Sequence, residues 1–394
     1  MTQLVAAPAG EGLVTCGICG SGEVREIDFD FTMLRTESTH PAFHTFRNYI
    51  CGTCGVVFIH PQPTESALVG HYNSDYRRSP YALTLGGRCI DTPVNFDQTI
   101  QSFQRFKNFY DVITRVAERT PDVVPRASDT ILDVGGYQGA FLAAAEQAWG
   151  VKGAVFDYST AGVDFARRAF GFTESTVVTD VTVDRPARRV RFVTSVHSFE
   201  HMRRPQDFLT HVRQHVLTPD GYLYLEVPSA SGTPLSNPTH FFMFAPDSLR
   251  QLLGACGYDV LEIGYSGFPR EQLLMGHPEE NIVCLARPRS DGTKTSHAVL
   301  SADERYREIK ADNRRLSFRA LGRMGRDLAR SVWTLLIQSL LIVFVDRLPA
   351  RRARGARRAI NYLDSAFRYL PAAVRKRLRL NAKANLPSRS AQSK

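Results

Sequence analysis

The chain has 394 residues, of which 43% are hydrophobic and 22% are charged, a balance that excludes a largely disordered or fibrous protein. Its seven cysteines are too few for a disulfide scaffold and indicate metal binding in a reducing compartment instead. Residues 301–394 carry 23 Lys and Arg against 7 Asp and Glu, whereas residues 1–300 carry 26 against 32. This asymmetry predicts a basic tail that contacts an anionic partner, either nucleic acid or a membrane surface.

Four of the cysteines form two pairs near the N-terminus. The pairs are Cys16-Gly-Ile-Cys19 and Cys51-Gly-Thr-Cys54, and a further glycine follows each pair. Two such knuckles close a tetrahedral site of four thiolates around zinc, and a closed site is structural because it leaves no position for water or substrate. A redox-active C-x-x-C is the alternative, although that chemistry needs only one pair. We therefore expect residues 1–80 to form a small zinc-binding module.

Beyond this module the sequence predicts a helix and then a regular alternation of strands and helices. Aromatic residues at helical spacing predict a helix over 97–118, within a connecting segment at 81–118. Strands are predicted at 130–134, 153–156, 176–178, 192–196, 222–227, 258–263 and 281–285, with helices at 140–148, 161–170, 206–216 and 248–255. This alternation predicts an α/β domain over 119–290, with a mostly parallel, Rossmann-like sheet between helices. Residues 290–300 have the composition of a linker.

A glycine-rich loop ends the first strand of this domain. Its sequence is Asp133-Val-Gly135-Gly136-Tyr-Gln-Gly139, and Asp157 follows at the end of the second strand. Glycines let the backbone approach a ligand at a helix N-terminus, and an acid after the second strand is placed to bind ribose hydroxyls. The loop therefore predicts a cofactor of the nucleotide type, and by itself it leaves NAD open as an alternative.

Together with four later segments, this loop resembles motif I of class I S-adenosylmethionine (SAM) dependent methyltransferases. The segments are Phe156-Asp157-Tyr158-Ser159, Ser198-Phe-Glu200-His201-Met, residues 215–228 and residues 240–258, in the order that the family has them. The resemblance covers about residues 110–287 and implies a seven-stranded methyltransferase sheet. It also implies that Asp133 and the loop glycines hold the methionine part of SAM. Asp157 would bind the ribose, Tyr158 would flank the adenine, and Asp180 would meet the adenine amino group.

Two residues depart from the family pattern. Tyr137 stands where the middle glycine of the loop is usual, and Arg191 stands where an acid usually begins the fourth strand. A side chain at position 137 predicts either crowding of the cofactor or a small shift of the loop. One alternative function is therefore a SAM-fold protein that is catalytically inactive and serves as an interaction scaffold.

Glu200, His201 and His240 are the predicted catalytic residues. Glu200 and His201 follow an apolar strand, which places them at the carboxyl edge of the sheet, and a carboxylate beside an imidazole is a suitable general base. Such a base favours O- or C-methylation, because those acceptors must lose a proton. The alternatives are that the pair caps the next helix and that His240 is a packing residue. The run from His197 to His201 also matches the H-x-x-E-H pattern of zinc peptidases, which requires a helix, and we interpret that match as a coincidence.

The cysteine module joined to this domain resembles the deoxysugar C-methyltransferases and their relatives in glycan biosynthesis. In the C-methylating members a Glu-His pair is implicated in enolisation of a keto sugar, and Glu200 and His201 match that pair. The family's tyrosine two positions before the glutamate is Ser198 here, and the basic tail stands in place of the family's large C-terminal domain. The resemblance implies methyl transfer to carbon or oxygen of a sugar or glycan acceptor.

An RNA-modifying methyltransferase is the other alternative enzyme. The basic tail favours it, but the first 300 residues are net acidic, unlike a surface that binds phosphates. In addition, Glu226-Val-Pro-Ser stands where enzymes that methylate base amines have Asn/Asp-Pro-Pro followed by an aromatic residue. Nucleic acid is therefore the less favoured partner.

The basic tail at 301–394 contains an uncharged apolar run of 15 residues, 331–345, between arginine-rich segments. A transmembrane helix needs about 20 such residues, so this run is too short to span a bilayer comfortably. An apolar segment between basic clusters suits the headgroup region of an anionic membrane. With no secretory signal in residues 1–12, we expect a cytoplasmic protein held at the inner membrane face, near lipid-linked glycan acceptors. The alternative is a helix buried against the catalytic domain or in a dimer, and the sequence does not indicate an oligomeric state.

Overall fold

The computed structural model describes residues 14–28, 46–64, 96–230, 239–267 and 280–311. The chain divides into two units, Met1–Asn313 and Arg314–Lys394, and all described residues belong to the first. The predicted membrane-binding part of the tail, including the apolar run at 331–345, lies outside the described residues, as does segment 65–95. Among the described residues, no helix is long and apolar enough to cross a bilayer.

The described ranges contain eleven strands in two sheets. In chain order they are β1 (Val24–Glu26), β2 (Arg47–Cys51), β3 (Val57–His60), β4 (Thr130–Val134), β5 (Lys152–Asp157), β6 (Thr176–Val177), β7 (Val190–Val196), β8 (Leu217–Pro228), β9 (Phe242–Met243), β10 (Tyr258–Gly267) and β11 (Glu280–Pro288). Every residue of β4 and β7 is buried, as expected for central strands that are covered on both faces.

The helices lie where the sequence predicts them. They are α1 (Phe96–Ala117), α2 (Ala140–Trp149), α3 (Thr160–Phe170), α4 (Pro205–His211), which continues as a π-helical turn at Val212–Val216, and α5 (Pro246–Ala255). Residues 302–311 are also helical. Local capping explains the bounds of α3, because the Ser159 side chain accepts the N–H of Gly162 at its start. Gly171, in the left-handed region, ends the same helix.

Seven strands form the central sheet, in the spatial order β10-β11-β8-β7-β4-β5-β6. The neighbours from β8 to β6 pair in parallel, and β11 is antiparallel to both β8 and β10. Helices α1, α2 and α3 bury residues such as Phe109, Phe141 and Val163 in one core cluster, and α4 and α5 bury Phe208 and Leu252 in the other. This arrangement confirms the predicted seven-stranded, Rossmann-like α/β sheet.

The second sheet joins the cysteine pairs to the rest of the unit. Its order is β1-β2-β3-β9, and β9 comes from the segment after β8. Phe58 of β3 pairs with Phe242 of β9, and the core that contains both also contains Cys51 and Phe208. The cysteine-bearing segment therefore shares a sheet and a core with the α/β domain.

The predicted linker at 290–300 lies along α5. The N–H of Thr295 donates to the carbonyl of Gly254 at 3.0 Å, and the N–H of Leu300 donates to Asp247 at 2.9 Å. Arg305, which is buried, forms an ion pair with the same Asp247. The beginning of the predicted tail is thus part of the first unit.

Candidate functional site

The glycine loop and the second-strand acid meet at the carboxyl edge of the central sheet. Asp157, the last residue of β5, accepts the N–H of Tyr137 through Oδ2 at 2.9 Å and the N–H of Ser159 through Oδ1 at 2.8 Å. Burial raises the pKa of this carboxyl, and the two N–H donors oppose that rise. Each carboxylate oxygen has a second lone pair, so Asp157 can also accept hydrogen bonds from ribose hydroxyls.

The loop glycines are required by close contacts within the protein. A Cβ on Gly135, whose φ is +81°, would lie 2.3 Å from Oγ of Ser198, and a Cβ on Gly136 would lie 2.7 Å from Oδ2 of Asp133. Gly139, with φ of +76°, is the N-cap of α2. Gly135 is itself exposed, so a ligand can approach its backbone directly. This bare loop at a helix N-terminus fits the predicted cofactor.

Tyr137 has a backbone conformation that favours glycine. Its φ is +46°, in the left-handed region. Its ring lies over the first turn of α3, where a Cβ on Gly162 would be 2.7 Å from its Cδ2. The Tyr137 ring therefore needs a residue without a side chain at position 162, and no motif in the sequence indicates this contact.

Asp133 lies beneath the loop, buried, and accepts a hydrogen bond from Thr194 Oγ1 at 2.8 Å. Burial raises the pKa of Asp133 to about 7; Thr194 opposes this rise, and the charge of Asp157 adds to it. A nearby positive charge favours the ionised form of such a carboxyl. Asp133 is therefore suited to a cationic ligand such as the charged methionine part of SAM.

The two residues predicted to contact adenine also lie near the carboxyl edge. Tyr158 follows β5 and is 47% exposed, which leaves its ring accessible to a flat ligand. Asp180 accepts hydrogen bonds from Thr182 through Oδ1 and from Arg204 through Oδ2 at 2.9 Å. Burial works to raise the pKa of Asp180, but Thr182 and Arg204 outweigh it and lower the pKa. Its carboxylate thus already has protein donors.

Arg191 lies at the opposite end of the sheet from the glycine loop. It is the second residue of β7, is buried, and forms an ion pair with Asp129 at 2.8 Å. Its guanidinium also donates to the carbonyl of Asp122. This departure from the family pattern therefore affects the packing of the amino edge rather than the cofactor loop.

The three predicted catalytic residues come together beyond β7. Glu200 lies in the 3-10 turn Phe199–His201 and is only 1% exposed. Nε2 of His201 lies 3.7 Å from Oε1 of Glu200, and the ring centroids of His201 and His240 are 4.9 Å apart. Nδ1 of His201 lies 2.7 Å from the carbonyl oxygen of Thr239. Because a carbonyl can only accept, Nδ1 carries a hydrogen, and Nε2, the other ring nitrogen, faces Glu200.

Burial determines the charge state of His240. It lowers the pKa of the His240 ring well below its usual value, and the imidazoles of His201 and then His197 lower it further. The ring is therefore neutral at pH 7, and its basicity is weak. His240 is better suited to orienting a neighbour or a ligand than to removing a proton.

His197 also belongs to this cluster, although the sequence analysis gave it no role. Its Nδ1 lies 3.7 Å from Oε1 of Glu200, and its Nε2 lies 3.6 Å from Oε1 of Glu226. Its φ of +52° is unusual for a side chain of this size. The H-x-x-E-H run does not form an α-helix here, so the peptidase geometry is absent from these described residues. The run nevertheless brings His197 and His201 to the same carboxylate.

The four paired cysteines form a compact cluster. The four sulfur atoms all lie within 4.8 Å of one another. The sulfur atoms of Cys16 and Cys54 are 3.7 Å apart, and those of Cys19 and Cys51 are 3.4 Å apart. A tetrahedral zinc site with Zn–S bonds of about 2.3 Å has S–S distances of about 3.8 Å, whereas a disulfide would be far shorter. Hydrogen bonds from Cys16 and then Cys54 lower the pKa of Cys51, which favours a thiolate.

Both knuckles have the same local backbone. The N–H of Gly20 donates to the carbonyl of Cys16, and the N–H of Gly55 donates to the carbonyl of Cys51. Each glycine has a φ near +70°, which a side chain rarely adopts. The glycine after each pair thus turns the chain so that two sulfur atoms point to one centre. This cluster is compatible with zinc.

Comparison with known proteins supports the assignment of the central domain. Residues 102–263 match the family described as a methyltransferase domain. Among solved structures, the SAM-bound magnesium protoporphyrin IX methyltransferase of Synechocystis is 14% identical to this chain, with a TM-score of 0.38. The aligned part covers 57% of this chain and 96% of the Synechocystis chain. No curated protein sequence matches the chain.

Two further solved structures are similar to part of this chain. A SAM-dependent methyltransferase of Aquifex aeolicus is 16% identical with a TM-score of 0.33, covering 43% of this chain and 88% of its own. A SAM-dependent methyltransferase of Clostridium acetobutylicum is 11% identical with a TM-score of 0.36, covering 49% and 96%. Similarity at this level carries no information about the acceptor. The family match and the strand order identify residues 102–263 as a domain with the methyltransferase fold.

Proposed function

We propose that the chain is a SAM-dependent methyltransferase that transfers a methyl group to carbon or oxygen of a sugar or glycan acceptor. The observation that carries this proposal is the contact between the glycine loop and the Glu200 cluster. Ser198, two residues before Glu200, donates its hydroxyl to the carbonyl of Val134 at 2.8 Å and fills the space above Gly135. A cofactor on the loop would therefore lie next to the predicted base.

The chain's own residues fit SAM on one side of this contact. Asp157 would accept the ribose hydroxyls, Tyr158 would flank the adenine, and Asp133 would balance positive charge on the methionine part. When bound, SAM supplies an electrophilic methyl group on a sulfonium.

On the other side, Nε2 of His201 would accept a proton from the acceptor. The carboxylate of Glu200, 3.7 Å away, would stabilise the imidazolium that forms. His240 would line the acceptor side of the cluster. An acceptor that must lose a proton, such as a sugar hydroxyl or the carbon beside a keto group, is the kind that needs this arrangement.

The cysteine-bearing sheet supports a glycan acceptor, since this module in combination with the Glu-His pair is the feature shared with the deoxysugar group. The expected site of action at an anionic membrane would bring lipid-linked glycans close to the enzyme. An acceptor of this kind needs room, and the 23% exposure of the His201 side chain leaves one side of the cluster open.

Calorimetry with SAM and S-adenosylhomocysteine tests the cofactor. We expect both to bind, and Asp157→Ala to weaken binding at least about tenfold, because hydrogen bonds to a charged group contribute roughly 1.5–3 kcal/mol. Asp164→Ala, an exposed change on α3, should leave binding unchanged. Binding of NADH without binding of SAM would overturn the proposal, and binding of neither would favour the inactive scaffold.

Labelled SAM then identifies the acceptor. The full chain is incubated with fractions of cell extract, and the labelled product is isolated. We expect label in a saccharide or a lipid-linked saccharide. Label in RNA would instead support the RNA-modifying alternative.

A further inference from the structure

Glu200 and Glu226 are both buried and both face His197, but their surroundings differ. Glu226 accepts hydrogen bonds from Tyr224 at 2.9 Å, Asn281 at 3.1 Å and Asn108 at 3.2 Å. Glu200 is equally buried, yet neither of its carboxylate oxygens accepts a hydrogen bond from any residue that the structure describes. A buried carboxylate without donors is costly unless a positive charge compensates it. The surroundings of Glu200 therefore fit a cation.

Two imidazole rings are placed to share that cation. One candidate ligand atom from each of Glu200, His201 and His240 lies within 4.8 Å of the other two. Metal–ligand distances for imidazole nitrogen and carboxylate oxygen are about 2.0–2.2 Å, so small rotations of the side chains would close this triangle around one ion.

The hydrogen bond of His201 matches that of a metal ligand. Histidines that bind metals usually donate their other ring N–H to a carboxylate or a backbone carbonyl. Nδ1 of His201 donates to the carbonyl of Thr239, which directs the lone pair of Nε2 towards Glu200. Thr239 is the residue before His240, so one short segment both orients one histidine and supplies the other.

We propose that Glu200, His201 and His240 bind a divalent transition-metal ion, at a site separate from the four cysteines. Two nitrogen ligands and one oxygen ligand suit zinc, iron(II) and related first-row ions, and three protein ligands leave coordination positions open. The 23% exposure of the His201 side chain leaves one side of this site open. Metal binding here does not depend on the proposed methyl transfer. If that function holds, the ion would bind an acceptor oxygen and take over its activation from the imidazole.

Cobalt(II) titration of the full chain tests this site. The protein first receives a single equivalent of zinc, which the four thiolates bind in preference to a site of nitrogen and oxygen ligands. It is then titrated with Co²⁺ while visible and near-ultraviolet spectra are recorded. We expect one further equivalent to bind with d–d absorption in the visible and without sulfur-to-cobalt charge transfer. Glu200→Gln and His201→Gln should each weaken this equivalent at least about tenfold, since even the loss of an outer-shell partner of a metal typically weakens affinity 10–100-fold.

His215→Gln is the matched control. His215 is exposed and forms a close pair with His211, with ring centroids 5.3 Å apart. This variant should bind the additional Co²⁺ as the unaltered chain does. Retention of the cysteine-bound zinc and an unchanged circular dichroism spectrum would show that each variant is folded. If Glu200→Gln does not fold, His201→Gln still provides the test, because His201 is partly exposed.

Two results would overturn the proposal. One is a titration in which cobalt shows only the charge transfer of thiolate ligands, which would mean exchange into the cysteine site. The other is binding of the additional equivalent with unchanged affinity in both Glu200→Gln and His201→Gln. Because the titration contains no SAM, either result leaves the calorimetric test of the cofactor unaffected.

Discussion

Tyr137 stands where the motif usually has glycine, and its φ is positive. A non-glycine residue with positive φ costs of order 1 kcal/mol or more, so contacts elsewhere must hold it in place. Here the N–H of Tyr137 donates to Asp157, and its ring lies on Gly162. The same Asp157 is the predicted ribose ligand, so the conformation of the loop and the position of the ribose are coupled.

This coupling predicts that Gly162→Ala weakens SAM binding. The new Cβ would lie 2.7 Å from Cδ2 and 3.0 Å from the backbone of Tyr137, so the loop must shift away from Asp157. We expect roughly a tenfold loss or more by calorimetry, because overpacking typically costs about 1–3 kcal/mol. Gly264→Ala, which would add its Cβ in open space, is the control. Equal SAM affinity for both variants would show that the loop tolerates the displacement.

At the scale of residues, motif spacing predicted that most of the candidate residues lie at strand ends. The contacts of Asp157 with the glycine loop follow from that rule. The convergence of His240 on Glu200 does not, since no local pattern determines the distance between residues 40 positions apart. The role of His197 depends on a positive φ that is not visible in its sequence context.

At the scale of elements, β9 connects the cysteine cluster to the predicted catalytic residues. The N–H of Ile59 in β3 donates to the carbonyl of Phe241 at 3.1 Å, and the N–H of Phe241 donates to the carbonyl of Glu200 at 2.9 Å. His240 directly precedes Phe241, which makes both of these hydrogen bonds. The position of the small sheet therefore affects the position of the predicted catalytic residues.

Cys51→Ser tests this connection. The variant should lose the zinc that the cysteines hold, because a closed four-thiolate site needs all four ligands. We expect methyl transfer to fall at least about tenfold while SAM affinity changes less than about threefold, since the glycine loop lies outside the small sheet. Metal analysis and calorimetry provide the measurements. Cys256→Ala, which changes a buried cysteine outside the cluster, should keep its zinc.

A zinc-free Cys51→Ser variant with full transferase activity would contradict the connection through β9. Absence of zinc from freshly purified, unaltered protein would contradict the zinc prediction itself.

The elements of the central sheet were predictable because strands with buried faces and helices with one apolar face have distinct periodicities. The strand predicted at 130–134 begins and ends where β4 does, and the ends of most other predicted strands lie within three residues of the observed ends. The sequence predicted β8 to begin after Gly221, but the strand already begins at Leu217. The two-residue strand β9 was not predicted, because its partner is distant in the chain and so short a strand has no periodicity.

At the scale of the whole molecule, helical residues 302–311 are the last described part of the first unit. Within them, the hydroxyl of Tyr306 donates to Asp28, and the guanidinium of Arg25 lies 3.7 Å from the centre of the Tyr306 ring. Arg305 pairs with Asp247 of α5. Removal of the tail for any experiment should therefore begin after Asn313, so that these contacts remain.

Sedimentation with liposomes tests the membrane expectation. The full chain should pellet with vesicles that contain anionic lipid and remain in solution with neutral vesicles, because each basic residue near an anionic surface contributes about 1 kcal/mol. A chain that ends at Asn313 should not pellet and should still bind SAM. Salt should weaken the binding, because it screens charges at a surface. Equal behaviour of the two chains would favour a tail helix packed on protein.

The pairing of Phe58 with Phe242 also sets an order of events during synthesis. About 180 residues separate these two positions, so at about 5–20 residues per second the ribosome needs about 10–40 s to deliver the second strand after the first. During that interval both cysteine pairs have been synthesised, but the outer edge of β3 has no partner. The cysteine pairs can bind the predicted zinc before the small sheet is complete. An exposed strand edge at that stage is a place where a chaperone or a second nascent chain can bind.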